Sequence, residues 1–191
     1  MATFQWTPTL ADSNAVTLGE TCLPRLHIVG WNNGGFAASL DNGGIEGTCF
    51  TATKTETCNN IFAYTNVIAA GATPTLCKMG VYSIDTATNN MTLVSACAND
   101  TTLFSAATTK FTRALTTPFN KVAGKRYALV IIVVTAFTLP NFNGKIGNVE
   151  LGPQMAPMLG ARLTGQSDLI ASISGGSLQP NVDLFYMGVT P

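Results

Sequence analysis

Apolar and polar residues alternate with a period of two over several short stretches of this chain. Gly47-Thr-Cys-Phe-Thr-Ala-Thr-Lys54 reads as a strand with one buried face, and Asn60 to Ile68 reads as another. Lys78 to Asp85 and Met91 to Cys97 flank the polar stretch Thr86-Ala-Thr-Asn-Asn90, which predicts a β-hairpin. Lys110 to Leu115 follows, then a turn through Pro118 and Gly124, then a strand from Arg126. That strand opens the longest apolar run, Ala128 to Leu139, which is rich in β-branched residues and so reads as a buried strand. Late strands are expected around Ala161-Arg-Leu-Thr164 and over Val182 to Val189. Nearer the start, Leu23 to Gly30 forms a short strand closed by Asn32-Asn-Gly-Gly35. Asp41-Asn-Gly-Gly44 supplies the residues of a type I′ hairpin turn.

No stretch longer than ten residues keeps a clean 3.6-residue apolar period, and the abundant Thr favours strands over helix interiors. Many short strands separated by Gly, Pro and Asn predict an all-β fold, a jelly-roll-like antiparallel β-sandwich. Residues 1–20 lack a sustained period and read as an extended N-terminal arm. Residues 21–191 then form a single sandwich domain.

Composition narrows the function. Only 10% of the 191 residues are charged, against about 25% in an average soluble domain. The net charge is zero, which argues against binding nucleic acid by neutralising phosphates. The apolar fraction, 46%, excludes a disordered chain. A membrane-spanning helix needs about 20 apolar residues, more than the longest run offers. The segment Met1-Ala-Thr-Phe-Gln-Trp6 has neither the basic nor the apolar region of a signal peptide, so a soluble protein made in a cytoplasm is expected. A surface with so few charges suits an assembly, a homotrimer or a symmetric cluster, because obligate interfaces are more apolar than ordinary surface.

Chemistry is sparse. Cys22, Cys49, Cys58, Cys77 and Cys97 form no C-x-x-C, and the single histidine, His27, cannot complete a zinc site of the usual spacing. Buried free thiols are one expectation; a disulfide between Cys49 and Cys58 across a short hairpin is the other. His27 lies in an apolar strand with no Ser or Cys in a nucleophile pattern beside it. The ten acids are scattered singly, without a pair for glycoside hydrolysis. Asp85-Thr-Ala and Asn99-Asp-Thr could ligate Ca²⁺, but Asp and Asn beside loops more commonly form Asx turns. The paired glycines lack a phosphate-loop ending, and Asn90-Met-Thr and Asn99-Asp-Thr are chance glycosylation sequons on a non-secretory reading. Arg113, Lys121, Lys125 and Arg126 are grouped too loosely for a nucleic-acid stripe. No catalytic residue, metal site or cofactor is expected.

Aromatic residues carry the remaining expectations. Phe4, Trp6 and Leu10 on the polar arm are natural anchors for a neighbouring subunit or particle, unless Trp6 folds back on its own domain. Phe50, Tyr82, Phe111, Tyr127 and Phe137 fall in expected strands. Trp31 beside Asn32 and Asn33 is the best candidate for a ring that stacks on a sugar. Phe142 between Asn141 and Asn143 is the second.

One block stands out. Met79-Gly-Val-Tyr-Ser-Ile-Asp85, Met91-Thr-Leu-Val-Ser95, Asn99-Asp-Thr-Thr-Leu-Phe104, Phe111-Thr-Arg-Ala-Leu115 and Val122-Ala-Gly-Lys-Arg-Tyr-Ala-Leu129 occur in that order at close spacing. The block resembles a β-sandwich domain of tailed-bacteriophage minor tail and minor structural proteins, strongly over residues 79 to 136. Gly80 and Tyr82 share a strand face, and Tyr127 on a neighbouring strand would help fill the same core. Ala123-Gly124 would make the turn into the apolar strand. The resemblance implies a virion component without an active site, located on the particle and in host cytoplasm during assembly. Its partners would be further copies of itself and major capsid or tail proteins. The alternative is a tail module that binds a host-surface glycan or receptor.

Overall fold

The computed structural model describes residues 20–21, 38–66, 69–71, 74–146, 158–179, 181 and 183–191. Fourteen strands account for the regular structure of those residues, with one 3-10 turn at Gly175–Ser177. The principal strands are β3 (Ile45–Thr51), β4 (Glu56–Tyr64), β5 (Leu76–Ile84), β6 (Met91–Ala96), β7 (Lys110–Lys121) and β8 (Arg126–Val134). Shorter ones are β1 (Glu20–Thr21), β2 (Ala38–Ser39), β9 (Asn141–Phe142), β10 (Gly144–Ile146) and β11 (Gly160–Leu163). The last three are β12 (Ser172–Ile173), β13 (Asp183–Phe185) and β14 (Met187–Thr190).

They form two main antiparallel sheets, a four-stranded one in the order β1-β14-β4-β7 and a six-stranded one in the order β11-β3-β8-β5-β6-β12. Two short pairs, β10-β13 and β2-β9, complete the set. The sheets pack into a β-sandwich, as the alternating pattern predicts. Their shared core draws Tyr127, Leu129, Ile131 and Val133 from β8 and Cys77, Met79 and Val81 from β5. The facing sheet supplies Ile61, Ala63, Phe111, Leu115, Phe119, Met187 and Val189.

The opposite face of the six-stranded sheet is buried as well. Ala128, Val130 and Ile132 of β8, Tyr82, Ile84 and Met91, and the edge-strand residues Ala161 and Ile173 form a second buried layer with Met158 and Leu178 of the C-terminal segment 158–179. This second layer explains why β8 is an unbroken apolar run: a strand covered on both faces has no polar side to show. It also explains why β3 is buried on both faces, where alternation predicts one. Tyr82 and Tyr127 consequently fill different layers. Tyr82 pairs with Ala128 and Ser83 with Tyr127 across β5 and β8, so the two rings point to opposite sides of the sheet.

The hairpin β5–β6 is present, with Thr86–Thr88 in its turn. Other expectations shift for identifiable reasons. β7 runs straight through Pro118. Between the Cys58–Phe119 and Asn60–Ala114 pairs the register slips, so Pro118 sits in a bulge of an edge strand where no N–H is required. There β7 leans on β6 instead: Ser95 Oγ donates to Thr117 O at 2.6 Å and Thr116 Oγ1 to Ala96 O at 2.9 Å. The strand expected over Val182 to Val189 breaks at Tyr186, and β13 and β14 enter different sheets. The Asp41–Gly44 segment does turn, with Gly44 N–H bonding Asp41 O at 2.9 Å, but only Gly43 has positive φ (+67°). A type I′ turn needs positive φ at both central residues, so this turn is not one. It passes the chain from β2 into β3, which are not partners.

Candidate functional site

A concave surface lies where the β5–β6 hairpin meets the β7–β8 turn. It is a groove of about 640 Å³ lined by Ser83, Ile84, Asp85, Thr86, Asn90, Thr92, Gly124, Lys125 and Arg126. The fold builds it from two turns. On one side Gly124 adopts φ +80° and Lys125 N–H closes onto Val122 O, turning the chain sharply into β8. On the other side Asp85 Oδ1 accepts the backbone N–H of Ala87 at 2.8 Å and of Thr88 at 3.2 Å. Asn90 Oδ1 accepts Gly175 N–H at 2.8 Å, which ties the hairpin to the C-terminal segment.

Lys125 and Arg126, consecutive in the chain, both contribute to its lining. The Lys125 side chain is exposed. Arg126 is 8% exposed and faces the outer layer of the six-stranded sheet, where its Nη2 donates to Met158 O. Its Nε has no hydrogen-bond partner, and no described carboxylate pairs with either cation. A buried guanidinium held by one neutral carbonyl is under-satisfied, because charge removed from water is ordinarily matched by an anion. The other basic residues of the loose group separate: Arg113 pairs with Asp100 and Lys121 with Glu56.

A second polar cluster lies beside the β2–β3 turn. Glu46 Oε1 accepts the Asp41 N–H at 2.6 Å, Asp41 bonds Arg162, and Asp183 accepts the N–H and hydroxyl of Ser39. Glu46 is 3% exposed, and burial pushes its carboxyl up from 4.5 to about 7, with the Asp41 and Asp183 charges adding to the rise. Burial raises Asp183 too. Among the described residues, no group of His, Cys, Asp and Glu is arranged to hold a metal ion. The two loop acids considered for Ca²⁺, Asp85 and Asp100, both form Asx turns, Asp100 with Thr102.

Phe4, Trp6, Leu10, Cys22, His27 and Trp31 lie outside the described residues. Phe142, the second stacking candidate, is completely buried and packs edge-on against Phe104 and Phe185, with centroids 4.8 and 5.7 Å away. Neither face of its ring is open to a sugar, so it belongs to the core. Phe137 shows the reverse: β8 ends at Val134, and Phe137 sits in the following bend, 64% exposed. Cys49, Cys58, Cys77 and Cys97 are buried, and none of them is joined in a disulfide. Cys49 and Cys58 belong to different sheets, so the hairpin that would have brought them together does not exist. Burial pushes the Cys49 and Cys77 thiols up to about 12, which makes them inert.

The groove is not legible in the sequence, because its residues come from two turns about 40 positions apart. The unusual signal was Lys125-Arg126 directly before an apolar strand. No family model matches this chain, and no curated protein matches it. Among the described residues no helix is long and apolar enough to cross a membrane.

Proposed function

We propose that this protein is a non-enzymatic structural component of a tailed-phage particle, a capsid decoration or minor tail protein that assembles through protein–protein contacts. The observation that carries the reading is the strand order. The two sheets run β1-β14-β4-β7 and β11-β3-β8-β5-β6-β12, so consecutive strands from β3 to β8 switch sheets at every step except the β5–β6 hairpin. This interleaving supports a jelly roll, an architecture shared by viral capsid and lectin domains. The ordered block over residues 79 to 136 adds to it, and its residues serve the fold: Asn99, Asp100, Leu103, Phe104 and Arg113 are all engaged in internal contacts. Architecture alone does not define function, so the proposal rests on both observations together. Low charge favours a homo-oligomer, a homotrimer or symmetric cluster, that also contacts capsid or tail proteins.

A second reading, a module that recognises a host-surface glycan, is favoured by the polar groove. Particles assembled without this protein separate the two. Loss of particle stability with adsorption intact is the expected result; loss of adsorption with stability intact favours the glycan reading.

A further inference from the structure

We propose that Arg162, on the edge strand β11, is a proton-operated latch: it holds Asp41 of the β2–β3 turn while the Glu46 carboxyl carries a proton, and passes to Glu46 when that proton leaves. The device goes beyond the particle role and does not depend on it.

Strand pairing builds the latch. β11 pairs with β3 so that Arg162 lies directly opposite Glu46. Residues opposite each other in a ladder send their side chains to the same face of the sheet, with Cβ atoms about 5 Å apart. Yet the two make no ion pair, and Arg162 Nη2 bonds Asp41 Oδ2 instead. Arg162 Nε is buried and has no hydrogen-bond partner. The guanidinium therefore has one donor committed to Asp41 and another uncommitted, opposite a second acid.

Glu46 is sealed from water, and its Oε1 takes the Asp41 N–H at 2.6 Å, a bond that leaves a carboxylate charge unmatched. The charged groups that act on it are Asp41 from the turn, Asp183 from β13 and Arg162 from β11. Its partner on β8 is Ile131, which carries no charge. Asp183 is buried as well and holds the Ser39 N–H and hydroxyl. Three carboxyl groups thus share one guanidinium. While that cation serves Asp41, a charge on Glu46 would be buried and unpaired, so its proton stays.

The two acids differ in what water can do for them. The Asp41 side chain is 45% exposed, so water can replace the guanidinium there. Glu46 has no such recourse. Once ionised it needs the cation more than Asp41 does, and Arg162 changes partner. The turn then keeps its other ties: Asn42 Oδ1 accepts the Thr135 N–H, and Gly43 bonds Val133 and Gln166 through its backbone. The exchange therefore loosens one corner of the turn and leaves the sheet paired. Burial pushes the Glu46 carboxyl up to about 7, which sets the pH at which the exchange occurs.

The test is an NMR titration of the full chain from about pH 5 to about pH 9, following the Glu46 carboxyl carbon and the Arg162 Nε–H signal. As Glu46 titrates, the Arg162 Hε signal should move downfield. Its exchange with water, corrected for the intrinsic effect of pH, should slow about tenfold as Nε gains a partner. A cycle of Asp41→Asn and Arg162→Gln supplies the second readout. It should show coupling of about threefold in the folding equilibrium constant near pH 5.5, lost near pH 8.5. Glu46→Gln keeps the acceptor but has no proton to lose, and should preserve that coupling at both pH values. An Arg162 signal unchanged while Glu46 titrates would overturn the latch, and so would a Glu46 that titrates in the ordinary glutamate range. Wild-type coupling equal at both pH values, or coupling lost equally in Glu46→Gln, would overturn it too. The wild-type titration decides the matter even where a variant fails to fold.

Discussion

Arg113 grips Asp100 from β7, with Nε and Nη2 both 2.6 Å from Oδ2. Asp100 lies in the loop that follows β6, so one ion pair joins two separate pieces of the 79–136 block. The other carboxylate oxygen takes the Thr102 N–H at 2.8 Å and its hydroxyl at 2.6 Å. With every oxygen engaged, the loop is held so that Leu103 and Phe104 insert fully into the core. Phe104 does so with φ +68°, a conformation disfavoured for an aromatic residue and sustained only by such surroundings.

Asp100→Asn should therefore destabilise the protein by about 1–2 kcal/mol, since both groups remain partly exposed and water screens the pair. Urea unfolding measures it. The Thr102 hydroxyl, with the Arg113 charge adding to it, holds the Asp100 carboxyl below the ordinary aspartate range. Its stabilisation is complete above the unfolded value of 3.8 and is lost as pH falls through the lower folded value.

Glu46 has the opposite sign. The folded state holds its proton up to about 7, whereas the unfolded chain releases it near 4.5. Stability should fall as pH rises from 4.5 towards 7, because over that window the unfolded state binds fewer protons. Glu46→Gln keeps an acceptor for the Asp41 N–H and removes the charge. It should raise stability at pH 8 by up to roughly 3 kcal/mol and flatten the pH profile. A variant with the wild-type slope would assign the effect elsewhere.

Two glycines should respond differently to alanine. A Cβ on Gly47 would lie 2.0 Å from Leu129 O in the central β3–β8 pair, backbone that cannot yield locally. Gly47→Ala should cost about 3 kcal/mol or more, or prevent folding. At Gly124 nothing lies within 4 Å, and only the positive φ opposes a side chain. Gly124→Ala should cost about 1 kcal/mol. Thermal melts of the two variants rank them.

The C-terminal segment is tied to the sheet by the Tyr82 hydroxyl, which donates to Ile170 O at 2.7 Å. Tyr82→Phe leaves that carbonyl without its partner and should cost about 1 kcal/mol. Hydrogen exchange should quicken over residues 158–179 while β7 is unchanged.

The sequence made the strands legible wherever alternation met a turn signal, as at Ile84–Met91 and Val122–Arg126. It concealed what depends on cover from far along the chain. Nothing near Gly47 announces that the second face of its strand, Ile45 and Cys49, joins a buried cluster with Met158 and Leu178, nor that Phe142 between two asparagines would pack against Phe104 and Phe185. The groove was hidden for the same reason: Asp85 and Lys125 become neighbours only when β5 and β8 pair. Pro118 misled because an edge strand can absorb a proline that a central strand cannot.

The central claim, a structural component of the particle, is tested most directly by imaging virions with and without this protein. The account predicts regular density, on the capsid lattice or along the tail, that fits the two-sheet sandwich and disappears on deletion. Particles that show no such density, and are identical with and without the protein, would contradict it.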